Sequence, residues 1–260
     1  MARFPVMALV ASVLLSAGAA RAQDGGQSEA NNPLTPKITL NLHNYYVGDL
    51  SGVPDEDANQ FLIRGLLPHK IGGHGQLFRF TLPVATMPTP SGHHTDLGDL
   101  TVMDLFVFKQ GRTEVGVGPL LVAPTAGDDR TGAGKWQAGA AGILIAPQEW
   151  GIMGGIATYQ HSFAGDDDRA DVSLLTFQPL VIYNLPKGWY LRSSAIWNVD
   201  FEGDTSYVPL GAGFGKVFQA GDVTLNAFIE PQITVWKDDG PGVPNWQAFV
   251  GFNVQFPIGK

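Results

Sequence analysis

A few charged side chains stand inside long stretches of sequence in which apolar residues recur at every second position. "FLIRGLL" (61–67) and "QLFRFTL" (76–82) each place one arginine in the set that alternates with the apolar residues. Because successive side chains of a strand point to opposite faces, this spacing predicts sheet segments with one apolar and one polar face. The charged residues that we assign to the polar face are Arg64, Arg79, Asp104, Arg192 and Glu230. Charges of both signs on one face predict either a belt that binds or filters a polar solute or a network of structural ion pairs.

The order of these residues along the chain shows which of them could pair, but it does not decide between a solute-binding belt and a network of structural ion pairs. Arg79 and Asp104 are predicted on neighbouring strands at similar height, where they could pair. Glu230 is predicted two strands away from Arg192. The uncharged polar residues that join the same predicted lining are Gln178 and Asn198.

Three short motifs suggest other chemistry, and each fits a plainer explanation better. "GAGFGK" (211–216) lacks the spacing of a phosphate-binding loop and precedes no helical pattern, so we expect no nucleotide or other cofactor. "GHHTDLGD" (92–99) matches no defined metal-binding spacing and is typical of a solvated loop. His161 and Ser162 are adjacent, so on a strand they face opposite ways and cannot form a catalytic pair directly. We therefore predict no catalytic residue, no metal site and no enzyme activity.

The elements that must position these side chains are long strands. About twelve segments alternate with period two, and no stretch of useful length shows a helical period. Many segments are ten residues or longer, whereas strands in soluble proteins usually have about five or six residues. A strand of ~9–11 residues crosses a bilayer when it is tilted. The predicted strands span residues 37–48, 58–67, 75–86, 97–109, 113–124, 134–146, 149–161, 171–184, 187–201, 205–218, 221–236 and 245–256.

The connections between these segments alternate between short and long, and the longer ones carry most of the acidic residues. "QGR" (110–112), "PQ" (147–148) and "PKG" (186–188) are short, whereas "MPTPSGHHTD" (87–96) and "PTAGDDRTGAG" (124–134) are long. Membrane barrels have short periplasmic turns and longer extracellular loops, and their closure pairs every backbone group. We therefore predict an all-β fold, a closed antiparallel transmembrane β-barrel of about twelve strands. A large soluble β-sandwich is the alternative that alternation alone leaves open.

Aromatic residues at strand ends fit the same prediction. Tryptophan and tyrosine concentrate at the level of the lipid headgroups, where they form a girdle at each rim of a barrel. The candidates for these girdles are Trp136, Trp150, Trp189, Trp197, Tyr207 and Trp246.

Composition and the N-terminal segment suit an exported chain. The 260 residues carry a formal charge of −8 and no cysteine, which argues against nucleic acid as a partner and excludes disulfides. Residues 1–22 combine an early arginine, a short apolar run and an A-x-A site, so they predict a signal peptide cleaved before Gln23. We divide the chain into this signal peptide (1–22), a loose periplasmic lead-in (23–36) and an outer-membrane barrel (37–260).

Several strand segments marked by glycine and proline resemble a known group of proteins. They include "FRFTLPVAT" (78–86), "VGVGPLLVAPT" (115–125), "GWYLRSSAIWNVDF" (188–201) and "PNWQAFVGFNVQF" (244–256). Over roughly residues 57–257 the chain resembles the bacterial outer-membrane barrels of the phenol-degradation meta-pathway (MetA-pathway) family, also described as transporters. The resemblance implies uptake of aromatic or hydrophobic compounds. One departure is the C-terminus, where "PIGK" follows the aromatic residue on which outer-membrane chains often end.

Alternation and resemblance together predict an outer-membrane channel or transporter for small solutes, with hydrophobic or aromatic compounds as the class that the resemblance implies. A closed structural or adhesive barrel is the alternative, and an outer-membrane enzyme acting on lipids is the third. The predicted location is the outer membrane of a Gram-negative cell. The expected partners are outer-membrane lipids and lipopolysaccharide, the barrel-assembly machinery and periplasmic chaperones during biogenesis, and a small solute.

Overall fold

The alternating segments form long antiparallel strands that close into a barrel. The computed structural model describes residues 26–238 and 240–257, so the predicted signal peptide lies outside the described residues. A short helix, α1, covers Gly26–Asn31. The strands are β1 (Ile38–Leu50), β2 (Ala58–Ile71), β3 (His74–Thr89), β4 (Gly92–Leu97), β5 (Leu100–Gln110), β6 (Thr113–Ala123), β7 (Lys135–Gln148), β8 (Gly151–Gly165), β9 (Ser173–Asn184), β10 (Trp189–Ser193), β11 (Trp197–Asp200), β12 (Thr205–Gly211), β13 (Gly213–Ala220), β14 (Val223–Lys237) and β15 (Pro244–Phe256). No helix within the described ranges is long and apolar enough to cross a membrane.

Closure is direct, because β1 pairs antiparallel with both β2 and β15. We call each crossing of the barrel wall by the chain a passage. Three passages each consist of two successive strands (β4 with β5, β10 with β11, β12 with β13), so the 15 named strands form a barrel of 12. The predicted fold class and the predicted strand number are confirmed.

The two ends of the barrel differ as the connection lengths predict. Tight connections at 72–73, 111–112, 149–150, 185–188 and 221–222 lie at one end, which we call the turn end. The longer connections lie at the other, which we call the loop end. One of them differs from prediction, since most of 87–96 is paired: β3 and β4 continue as a hairpin with residues 90–91 at its tip.

The burial pattern assigns the two faces of the wall. On β7, Ile143 and Ile145 are buried and point inward, while Leu144 between them is half exposed on the outer face. The same contrast recurs on other strands, and large apolar side chains cover the outer face. Exposed examples are Phe106, Phe108, Val117, Leu121, Tyr183, Leu191, Phe214 and Ile233.

Two neighbouring passages are interrupted at the same height, and a side chain fills the opening. Pairing between them covers 189–192 with 213–216 and 198–200 with 205–207, and the residues between are not paired across. The carboxylate of Glu230, from β14, lies in this opening and accepts a hydrogen bond from the backbone N–H of Ser194 at 2.8 Å. Glycine is needed opposite it, because a Cβ on Gly211 would lie 2.2 Å from Oε1 of Glu230. The "GAGFGK" glycines thus let lumen groups approach the wall.

The segment before β1 lies in the turn-end mouth of the barrel, so the expectation of a loose lead-in is wrong for the described residues 26–36. We call these residues the plug. Gln27 donates to the backbone oxygens of Leu185 and Trp189 at 2.8 and 3.2 Å. Leu34 is 1% exposed and joins the apolar core inside the barrel. It fits because β6 offers a glycine there, Gly116, whose Cβ would lie 2.7 Å from Leu34 Cδ2.

Candidate functional site

Three cavities follow one another along the lumen. The loop-end cavity, about 370 Å³, is lined by Tyr45, Met87, Asn198, Tyr207 and Gln247 among others. The central cavity, about 210 Å³, reaches from Arg64 and Arg79 to Thr158, Gln160, Thr176 and Gln178. The plug cavity, about 130 Å³, lies between the arginines and residues 30–35 of the plug. Ile196 lines the first two cavities, and Arg64, Arg79, Ile156 and Gln178 line the last two. The cavities therefore lie next to one another along the lumen, and the last of them adjoins the plug.

Arg64 and Arg79 both face the lumen, as predicted, and lie diagonally across the β2–β3 pair, where Arg64 is opposite Thr81 and Arg79 opposite Leu66. Diagonal neighbours on one face are within reach of long side chains. Arg64 Nη1 contacts His43 Nδ1 at 3.1 Å, and Arg79 Nη1 donates to the backbone oxygen of Pro33 at 3.0 Å. Within the described residues neither arginine forms an ion pair with a carboxylate.

Arg192, on β10, and Glu230, on β14, form a buried ion pair inside the barrel, with Glu230 three strands away from Arg64. Arg192 Nε lies 2.7 Å from Glu230 Oε2, and the side chains are 8% and 0% exposed. The hydroxyl of Ser194 donates to Oε2 at 2.7 Å, and Gln232 donates to Oε1 at 3.0 Å. The Arg192 guanidinium also lies 3.5 Å from the centroid of the Phe228 ring. These contacts satisfy both charges, so this pair matches the structural interpretation of the charged residues.

Asp104 is the predicted lumen residue that the structure contradicts. It lies on the outer face of β5, because Leu105 is 0% exposed and points inward. It pairs there with His69 at 2.9 Å and makes no contact with Arg79. The prediction failed because residues 102–108 are apolar except for Asp104, so the sequence contains no second polar residue to set the phase of the alternation.

Gln178 and Asn198 both lie inside the barrel, as predicted. Gln178 donates to the backbone oxygen of Ser194 at 2.8 Å, beside the interruption in the wall. It lies on β9, six strands away from the strand of Arg64 in either direction around the barrel, so it marks the opposite wall of the central cavity. Asn198 lines the loop-end cavity.

The predicted aromatic girdle is outward-facing except at one position. Trp136 and Trp246 lie toward the loop end, and Trp150 and Trp189 toward the turn end. Trp150 stacks on Tyr183, and Trp189 has the Lys216 ammonium 5.1 Å from its ring. Trp197 also points outward, but it lies near the middle of its passage and not at a rim of the barrel. Its ring N–H donates to the backbone oxygen of Pro209.

Tyr207 does not belong to the girdle, and this prediction is wrong. It is opposite Asn198 in the pairing of β11 with β12 and lines the loop-end cavity together with that residue. Tyr207 points into the lumen because the alternation of side chains along the short strand β12 puts it on the inner face.

Sequence reasoning missed an aromatic wall inside the lumen. Tyr45 and Phe249 stack with their ring centroids 4.2 Å apart, and Phe228 meets Phe249 edge-on at 4.9 Å. His43 lies beside both phenylalanines, and its Nε2 is 2.7 Å from Asn253 Oδ1. Phe249 stands between Ala248 and Val250, so the unbroken apolar run hid its inward position. The plug was missed because it has no apolar periodicity.

Several acidic residues of the long loops have local partners, among them Asp57, Asp128, Asp129 and Asp171. The backbone N–H of Arg130 holds the pKa of Asp128 below its usual range. Hydrogen bonds from Lys135 and Ser162 lower the pKa of Asp171. Across residues 26–238 and 240–257, no group of three or more His, Asp or Glu side chains is arranged to hold a metal ion. Ser162 donates to Asp171 at 3.1 Å, and the neighbouring His161 points to the outer face.

Comparison with known proteins identifies the architecture. No protein-family model and no curated protein matches the chain. Among solved structures, it is similar to the COG4313 outer membrane channel from Pseudomonas putida F1, with 15% identity, a TM-score of 0.60, and coverage of 90% of this chain and 100% of that one. The fold is that of outer-membrane β-barrels. Weaker matches are the KdgM porin (10% identity, TM-score 0.45, 85% and 100% of the two chains) and outer membrane phospholipase A from Escherichia coli (13%, 0.44, 89% and 95%).

Proposed function

We propose that this protein is an outer-membrane channel that passes small solutes through the lumen, entering from the loop end. The observation that carries the proposal is the series of adjoining cavities from the loop end to the plug. A barrel that served only as a structural element would gain stability from a filled interior, because buried apolar contact and close packing stabilise a fold. Here the interior instead keeps space beside polar side chains.

The outer face supports the membrane location. Soluble monomers rarely expose contiguous apolar surface beyond a few hundred square ångströms. In this barrel large apolar residues are exposed on strand after strand around the wall, with tryptophans near both ends. Such a surface is favourable in a lipid bilayer. Lipid cannot form hydrogen bonds with backbone N–H and C=O groups, and closure of the barrel pairs these groups with one another.

Arginine substitutions on the two faces test this placement. Val117, in the middle of β6, is 44% exposed on the outer face, whereas Gln160 lines the central cavity. Val117→Arg is expected to destabilise the barrel in lipid vesicles by ~2–4 kcal/mol, because a charge near the bilayer midplane is costly. Gln160→Arg keeps its charge in the lumen and should change stability much less. Urea unfolding in vesicles measures both, and equal losses would show that the faces are wrongly assigned.

The lining suggests which solutes pass. The central cavity combines aliphatic side chains with hydroxyl and amide groups, and aromatic rings lie beside His43 and Arg192. Amphipathic or aromatic compounds fit such a surface, because pockets for small organic molecules are mainly apolar with a few polar groups that set orientation. This agrees with the class of solute that the sequence resemblance implies.

Single-channel recording in planar bilayers is the direct test of the channel proposal. Purified protein is expected to produce small, discrete conductance steps in potassium chloride, because the path is narrow and the plug lies in it. Proteoliposomes should accumulate small aromatic compounds faster than empty liposomes do. Absence of both conductance and uptake would contradict the proposal.

A closed barrel without transport is the second candidate, and the plug is the observation that favours it. Residues 26–36 contact β3, β6, β9, β14 and β15 through side-chain hydrogen bonds. If the plug never moves, the lumen is a blind pocket open only to the loop end. The two candidates therefore differ in whether the plug moves to let ions cross.

A further inference from the structure

The central cavity contains two positive charges that no carboxylate of the described chain neutralises. Arg64 and Arg79 line it, and their hydrogen bonds to protein go to a histidine nitrogen and a backbone oxygen. Arg64 Nε is inaccessible to solvent and has no hydrogen-bond partner. A charge withdrawn from bulk water without a counter-charge is costly. Arg192, by contrast, is matched by Glu230 at 2.7 Å.

His43 does not supply the missing negative charge. Its Nε2 lies 2.7 Å from the side-chain oxygen of Asn253, which can only accept, so the ring proton is on Nε2. Nδ1 then accepts from Arg64. A neutral imidazole satisfies both of these hydrogen bonds. The guanidinium groups of Arg64 and Arg79 therefore give the central cavity a net positive charge.

We propose that the central cavity binds a small organic carboxylate, with its head group at Arg64 and Arg79 and its apolar part against the opposite aliphatic wall. The inference rests on the proposed channel function and names its substrate class. Guanidinium groups match carboxylates in geometry and form charge-assisted hydrogen bonds to them. An anionic head group therefore supplies the partner that the protein lacks.

The rest of the cavity favours an organic acid over an inorganic anion. Hydroxyl and amide groups from Thr81, Thr158, Gln160 and Thr176 could hold further oxygens of the ligand. The aliphatic wall consists of Met103, Leu120, Ile143 and Ile156. The volume of about 210 Å³ exceeds the roughly 150 Å³ of an apolar cavity known to hold a benzene ring. A phosphate or chloride ion would leave the aliphatic wall without a contact.

Equilibrium binding to purified full-length mature protein in detergent micelles tests the site, with benzoate as the probe and benzamide as its uncharged isostere. Wild-type protein is expected to bind benzoate at least about tenfold more tightly than benzamide, because only the carboxylate makes charge-assisted bonds. Arg64→Gln and Arg79→Gln should each weaken benzoate binding by about tenfold or more and leave benzamide binding little changed. Arg112→Gln, at an exposed turn, is the matched control and should change neither.

Two further measurements keep the result interpretable. Arg64→Lys retains the positive charge and should keep part of the affinity if the site is electrostatic, and circular dichroism with heat-dependent gel mobility verifies that each variant folds. Inorganic phosphate at the same concentration should displace benzoate poorly. Equal binding of benzoate and benzamide, equal competition by phosphate, or the same loss in Arg112→Gln would overturn the carboxylate site.

Conductance recorded on the same preparations separates this inference from the channel proposal. Wild-type channels that conduct potassium chloride but show no arginine-dependent preference for benzoate would leave the channel function standing and remove the site. Arginine-dependent benzoate binding without any conductance would remove the channel function and leave a closed binding barrel.

Discussion

Replacing Glu230 with glutamine is expected to destabilise the barrel by ~3–5 kcal/mol, the usual cost of leaving one member of a buried ion pair without its partner. The carboxylate accepts from Arg192 Nε, from the N–H and the hydroxyl of Ser194, and from Gln232 Nε2, at 2.7 to 3.0 Å. A glutamine offers one acceptor oxygen and one NH₂ group, so at least one donor would face another donor. Arg192 would then be a buried charge above the Phe228 ring without a counter-ion.

The Glu230 prediction is checked by urea unfolding in lipid vesicles, with two companion variants. Asp57→Asn is the matched control, since Asp57 and its partner His93 lie at the loop end and their side chains are 41% and 40% exposed. Its loss should stay below about 1 kcal/mol. The double variant Arg192→Met/Glu230→Met removes both charges and should cost less than Glu230→Gln alone. A Glu230→Gln loss no greater than that of Asp57→Asn would contradict the structural role of the ion pair.

Deleting residues 26–36 is expected to raise the single-channel conductance several-fold, because these residues occupy the turn-end mouth of the lumen. The deletion also removes Pro33, whose backbone oxygen is bonded to Arg79, and Asn32, whose amide donates to Glu114 at 2.8 Å. The barrel strands keep all of their own pairing, so the shortened protein should fold. Planar-bilayer recording of the deletion variant beside the intact chain provides the measurement.

A cross-link tests whether the plug has to move during conduction. The chain has no cysteine, so Asn31→Cys and Asn226→Cys introduce a unique pair of thiols where the two asparagine side chains now meet at 3.0 Å. A short thiol-specific cross-linker should abolish the residual conductance of this variant, while the same reagent leaves the cysteine-free protein unchanged. Full conductance with the plug locked would mean that solutes pass beside the plug.

The sequence by itself determined the strands and most of their faces. Alternation of apolar and polar residues has period two only in an extended chain, so it located every passage of the barrel and placed Arg64, Arg79, Arg192 and Glu230 on the inner face. The alternation of short and long connections predicted the two ends. These features are local, since each depends on residues a few positions apart.

Only the tertiary structure decided the partners of these residues, because partners are set by strand register and barrel closure. Asp104 lies in an apolar run, and pairing with β3 and β6 turned it outward toward His69. Glu230 meets Arg192 because two neighbouring passages part and glycines leave room for the carboxylate. The plug is held by bonds such as that from Gln255 to Ala30, residues 225 positions apart. A period-two pattern contains no information about contacts at that separation, so the charge balance of the lumen, and with it the candidate carboxylate site, follows from the closed barrel alone.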